Sequence, residues 1–350
     1  MKKFYFLAML SLAAAASCSK TELVTTDNDL KPISMDVFQH KATKATEING
    51  DNVTDEDFTI QCYQMNALSS ATSASAFYSD KTLDYASSKW DTDPTYYWPY
   101  VCVSEGTHSA TNSLSFYAYN AGTYAKGTYP SAQPTLTYTV ADAAASQKDV
   151  IAANAEYRIW QTDAATSMVP LTFKHILSEI CFTVKGEDNK FYYEVLGVEI
   201  GKNTAPTPGA ALYSGGTYTY GANGAQGTTV ANTSSTQKSY IYGEHNVTAS
   251  AIQTIAVNNT NDIALSTESL MLIPQAATGV TISVTFAVYT DATKATQIYA
   301  GTKTTGTLAE TWATGKKYTY ALKLSGGHPI EYTVGVSDWE TATTADVTLQ

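Results

Sequence analysis

Apolar and polar positions alternate through much of the chain, which predicts strands rather than helices. Leu114-Ser-Phe116-Tyr-Ala118, Leu136-Thr-Tyr138-Thr-Val140, residues 280–288 and Tyr318-Thr-Tyr320-Ala-Leu322-Lys-Leu324 each place apolar side chains at every second residue. Side chains of a strand point alternately to opposite faces, so this period of two marks antiparallel sheet with one face on a core and one in water. An earlier run, Pro32-Ile-Ser-Met-Asp-Val-Phe38, sets Ile33, Met35 and Val37 on one face and reads as the first strand. Residues 171–184 predict a long strand whose apolar register shifts, from Leu171 and Phe173 to Ile180, Phe182 and Val184. A bulge at residues 177–179 reconciles the two halves.

Punctuation between these runs is rich in glycine and proline, notably residues 203–216 and 221–227, which read as loops. Residues 142–153 are rich enough in alanine to predict a turn or two of helix. The small, polar run of residues 163–170 ends at Pro170 and predicts a boundary between two units, 30–165 and 166–350.

The N-terminus follows another pattern. Lys2 and Lys3 precede an apolar run over residues 4–12, and small residues 13–17 lead to Cys18. A membrane span needs about 20 apolar residues, so residues 1–17 read as a secretory signal rather than an anchor helix. Ala15, Ala16 and Ser17 before Cys18 resemble a bacterial lipobox, with Ala15 standing where that pattern prefers leucine. Acylation of Cys18 is expected, with ordinary cleavage nearby as the alternative, and residues 18–29 read as a polar tether. Acyl chains bury about 0.8 kcal/mol per CH₂, so a multiply acylated terminus stays on a bilayer.

Composition strengthens the all-β reading. The 25 Tyr among 350 residues, with abundant Thr and few helix-favouring charged residues, suit a pleated, half-buried surface. About 330 residues follow the signal, more than one core usually serves, and two β-sandwich domains are expected. A net charge of −11 without a basic, aromatic platform argues against nucleic acid as a partner. With Cys18 assigned to lipid, Cys62, Cys102 and Cys181 remain. These permit at most one bridge; Cys62 and Cys181 read as buried apolar thiols, and pairing of Cys62 with Cys102 stays open.

Sequences that carry chemistry are missing. There is no Gly-x-Ser-x-Gly elbow, no His-Glu-x-x-His pair, no phosphate loop and no EF-hand loop. The expectation is a non-enzyme with no catalytic residue, no metal and no cofactor. Asp55, Glu56 and Asp57 are contiguous and read as a solvated turn. His175 reads as a structural histidine without a carboxylate at ligand spacing, and Asp338 as a turn or cap residue. Trp90, Tyr96, Tyr97 and Trp98 are either a glycan platform or core, with core the preferred reading.

Several of these segments together resemble one family. Trp90-Asp-Thr-Asp-Pro-Thr-Tyr96-Tyr97-Trp98-Pro99, then Leu114-Ser-Phe116-Tyr117-Ala118-Tyr119, then Pro170-Leu171-Thr-Phe173-Lys-His175-Ile-Leu177-Ser are similar to fimbrillin-like lipoproteins of Bacteroidetes. So are Met271-Leu272-Ile273-Pro274-Gln275, Trp312-Ala-Thr-Gly315-Lys316-Lys-Tyr318-Thr-Tyr320 and Val336-Ser-Asp338-Trp339, in this order over nearly the whole mature chain. The resemblance implies two tandem transthyretin-like antiparallel β-sandwich domains in an all-β fold. It also implies a surface pilus subunit or accessory component on the outer membrane, with other fimbrial subunits as partners.

In the polymerising members it further implies that an arginine-directed protease removes the lipidated segment and frees a groove for a partner's strand. Here the corresponding stretch reads Gln39-His40-Lys41-Ala-Thr-Lys44, and the single arginine of the chain is Arg158. Lys41 and Lys44 are the candidate maturation sites, against an equal reading as solvated lysines. Ile33, Met35 and Val37 belong to the segment that would be displaced, and residues 345–350 are the candidate terminal donor strand. The alternative is a non-polymerising outer-membrane lipoprotein that binds a host glycan or protein.

Overall fold

The computed structural model describes residues 32–38, 48, 53–86, 89–99, 112–159, 168–203, 211–243, 248–256, 261–265 and 269–339. The chain is all-β: among the described residues 24 strands form five sheets, and helix is confined to three-residue 3-10 turns.

The largest sheet combines β1 (Ser34–Phe38), β2 (Phe58–Met65), β3 (Ala74–Ala86), β4 (Lys89–Thr92), β5 (Ser113–Tyr119), β8 (Ile151–Arg158), β9 (Val169–Thr172) and β10 (Lys174–His175). They lie in the order β10-β8-β5-β2-β3-β4-β1-β9. Only Phe173 separates the two outermost strands, so residues 169–175 pair with β1 through their first half and with β8 through their second. The sheet thereby closes on itself around an apolar core. Phe173 sits in that core against Phe58, with ring centroids 4.2 Å apart, and Phe58 meets Trp90 at 5.5 Å.

The other face of β2 and β5 carries tyrosines. Tyr63 and Tyr117 meet Tyr129, and Tyr117 also meets Tyr220 at 5.1 Å. This layer packs in one apolar cluster with a four-stranded sheet of β6 (Thr123–Ala125), β7 (Thr135–Thr139), β14 (Gly215–Thr219) and β15 (Thr228–Ala231). Its order is β15-β14-β7-β6, with Thr137 opposite Thr217.

Two five-stranded sheets build the remainder. One contains β11 (Ser178–Gly186), β19 (Ile263–Ala264), β20 (Leu270–Leu272), β23 (Lys316–Leu324) and β24 (Glu331–Asp338). The other contains β12 (Tyr192–Asn203), β17 (Tyr240–Gly243), β18 (Gln253–Ile255), β21 (Val280–Tyr289) and β22 (Gln297–Thr304). A short pair, β13 (Leu212–Tyr213) and β16 (Gln237–Lys238), completes the set.

Beyond the position of the boundary, three expectations change. The division at 165 falls in residues 160–167, outside the described residues, and strands on its two sides are paired: β1 with β9, and β7 with β14. Residues 171–184 are not one bulged strand, because the chain leaves the first sheet at His175 and enters the next at Ser178. The change of sheet explains the register shift. The alanine-rich stretch 142–153 gives only a 3-10 turn at Ala144–Ser146 before β8 begins. Ala152, Ala153 and Ala155 are buried in β8, where sheet packing on both faces overrides helix propensity. Finally, β23 does alternate between core and partly exposed positions, but β5 and β21 are buried on both faces. The hydroxyls of β21 are satisfied across the strand pair: Ser283 meets Thr304 at 3.0 Å and Thr285 meets Thr302 at 2.6 Å.

Candidate functional site

The first strand is held on both sides. Against β4 it runs antiparallel, with Ser34 opposite Asp91 and Met35 opposite Trp90, and the Ile33 N–H donates to the Tyr96 carbonyl at 2.8 Å. Against β9 it runs parallel, from Met35 opposite Val169 to Phe38 opposite Thr172. Ile33 and Met35 are fully buried, while Val37 is half-buried. Both buried side chains belong to the cluster that contains Phe58, Leu83, Trp90, Trp98, Phe116 and Leu171.

A groove defined by this strand therefore has two backbone walls and two deep apolar positions. Burying a side chain of this size contributes about 1.5–3 kcal/mol, and each ladder hydrogen bond adds about 0.5–1.5 kcal/mol. A competing strand with a longer run of matching residues has more to gain from the same walls.

Asp36 points away from the two buried positions. Burial raises its carboxyl above the ordinary value of 3.8. A raised folded-state pKa favours the fold while the group is protonated: that contribution is complete below the unfolded pKa and is lost as pH rises through the folded value. Asp36→Asn is therefore expected to raise the denaturation midpoint at neutral pH and to match the parent near pH 3, about where the parent carboxyl is protonated. Urea titrations at the two pH values check this. An equal effect at both would remove the electrostatic account.

Cys18, Lys41, Lys44 and Cys102 lie outside the described residues, as do residues 345–350. Ile48, which follows the candidate cut sites, is buried, and its N–H donates to Asp149 Oδ2 at 3.0 Å. Cys62 and Cys181 are free, buried thiols. Burial pushes the Cys62 thiol well up and the Cys181 thiol to about 12, which leaves neither a ready nucleophile.

Trp90 and Trp98 are core residues, each 4% exposed, and only Tyr97 of the four aromatics is largely open, at 42%. His175 has a carboxylate partner that local spacing could not indicate: Asp149, 26 residues earlier and fully buried. Asp338 is a strand-end residue that pairs with Lys316 across β23 and β24, not a turn or cap. Among the described residues no three His, Cys, Asp or Glu side chains are grouped for a metal ion. A cavity of about 150 Å³ opens at the far hairpins, lined by Glu187, Tyr193, Ile298 and Tyr299. Ligand pockets commonly run about 300–1,000 Å³, so it holds a small group at most. The β1 groove is the feature with both length and depth.

Residues 43–339 match the family described as Fimbrillin-like, and the chain belongs to that family. The comparison with curated proteins returns no match. Among solved structures, a fimbrial protein from Bacteroides vulgatus superposes with a TM-score of 0.62 at 17% identity, over 88% of this chain and 99% of that one. A protein of Bacteroides uniformis provisionally named for cell adhesion is 15% identical over 88% of this chain and 98% of its own, with a TM-score of 0.49. At these identities the first likeness is one of fold.

Proposed function

We propose that this protein is a structural or accessory subunit of surface fimbriae, assembled by β-strand donation into the groove that β1 fills and contributing to cell adhesion. The observation that carries the reading is the placement of β1: paired on both edges, with Ile33 and Met35 buried, yet only five residues long. Its loss would leave β4 and β9 with unpaired backbone groups and two empty apolar pockets, the state that a donated strand repairs. Acylated Cys18 would hold the precursor on the outer membrane, and cleavage after Lys41 or Lys44 would release β1 with the lipid. Other fimbrial subunits are the partners, and the role is structural rather than catalytic, with no cofactor.

The absence of arginine from this stretch favours a second reading, in which the chain stays anchored and binds a host glycan or protein. N-terminal sequencing of protein sheared from cells, with electrophoresis of unheated samples, separates the two. New termini at Ala42 or Ala45 with a heat-labile ladder are expected for a polymerising subunit, and Lys41→Gln with Lys44→Gln should abolish that ladder. Monomer alone, beginning at Cys18, would overturn polymerisation. In the same cells Cys18→Ala should move the protein out of the membrane fraction; full retention would end the lipid assignment.

A further inference from the structure

Among the described residues, β9 has one ladder partner, β1. If β1 leaves, the parallel wall of the groove keeps no ladder partner, and a loose strand would fall into the pockets or fray. What holds that wall begins three residues further on. His175 Nδ1 lies 3.0 and 2.9 Å from the two carboxylate oxygens of Asp149, and the imidazole stacks on the Trp339 indole with centroids 4.1 Å apart and planes 8° from parallel. All three are buried: Asp149 is 1%, Trp339 3% and His175 5% exposed.

They come from three separate parts of the fold: the approach to β8, β10, and the end of β24. Trp339 is itself fixed, its backbone N–H donating to the Gly315 carbonyl at 3.0 Å, while the Gly315 N–H donates to the Leu177 carbonyl at 2.9 Å. Gly315 has φ +68°, and a Cβ there would lie 3.3 Å from the His175 carbonyl, so glycine suits this close approach. The stretch after β9 is thus gripped from both the first sheet and the C-terminal sheets.

We infer that Asp149, His175 and Trp339 form a clamp that holds residues 169–175, and hence the β9 wall, in place without β1. This rests on the strand-donation reading for its purpose, but not for its test. The three are positioning residues: they keep an acceptor groove open between the departure of one strand and the arrival of the next. An extended segment of alternating apolar side chains, such as that of a second copy, would then meet a formed site and lose less in ordering it.

The test uses the full chain carrying Met35→Asp, which puts a carboxylate into the deepest position and drives β1 out. Amide hydrogen exchange is followed in residues 174–176, whose ladder bonds do not involve β1, and, as an internal reference, in β21. With the clamp intact, residues 174–176, which pair with β8 and Val150 rather than with β1, should stay protected. Adding Trp339→Ala should raise their exchange at least about ten-fold relative to β21, while Trp339→Phe, which keeps a stacked ring, should not. The apolar pair Asp149→Leu with His175→Leu should give the same rise if Trp339→Ala fails to fold. Protection lost on Met35→Asp alone, or rates unmoved by either clamp variant, would overturn the clamp. A synthetic peptide of residues 31–39, added to the Met35→Asp protein, examines the groove separately: failure to bind counts against strand donation and leaves the exchange result to decide the clamp.

Discussion

Met35→Ala lowers the unfolding free energy by about 2–5 kcal/mol, whereas Val37→Ala, two residues along the same strand, costs about 1 kcal/mol or less. The contrast comes from burial alone. Both residues lie on the same side of β1, but Met35 has no exposed surface and Val37 keeps part of its side chain in water. Truncation at Met35 loses the transfer energy of the removed atoms and leaves a void beside Trp90 and Val169, its cross-strand neighbours. Ile33→Ala should resemble Met35→Ala. Urea denaturation of the three variants measures this. Equal costs at Met35 and Val37 would mean that β1 is not seated as described and would weaken the groove itself. If the chain is cut after Lys41 or Lys44 as proposed, the same variants should speed release of β1, since what they remove is the hold of the strand on its pockets.

A fragment ending at residue 165 is expected not to unfold cooperatively, although the break there looks like a linker in sequence. It would lack β9 and β10, the stretch that closes the first sheet, and would expose Phe58 where Phe173 now packs. It would also leave β7 without β14 and uncover the tyrosine layer at Tyr117 and Tyr220. Ending the fragment at 176 restores the closing strands and should recover part of the sheet. Circular dichroism, thermal melts and dye binding by exposed apolar surface distinguish the cases. A sharp melt of the shorter fragment, with little dye binding, would show that the two units are autonomous at 165 and that pairing across it contributes little. The shared apolar surface argues for the first outcome, because it belongs to one contiguous core that draws on both sides of the cut.

The groove was partly legible before any coordinates. The period of two in Ile33-Ser-Met35-Asp-Val37 marks a strand with one buried face, and the structure seats Ile33 and Met35 accordingly. What the pattern does not carry is the identity of its neighbours. β4 lies more than 50 positions away and β9 more than 130, in parallel orientation, and such pairing leaves no trace in a local run of residues. His175 shows the same limit. Its partner Asp149 and its stacking partner Trp339 lie far from it along the chain, and neither stands at a spacing that identifies a pair.

The sequence by itself determined the class of structure: tyrosine and threonine content, strand periodicity and glycine-rich joints leave an all-β chain as the consistent solution, because those properties act locally. Tertiary structure alone decided where one sheet ends and the next begins. The chain leaves the first sheet at His175 and enters the next at Ser178, and the alternation on either side reads as a bulge until the two partners are known. Tertiary structure likewise decided that Ser283 and Thr285 are buried, because their partners on β22 satisfy the hydroxyls that sequence assigns to water. The physical reason is common to both: a strand's faces are defined by what covers them, and the covering residues lie far along the chain.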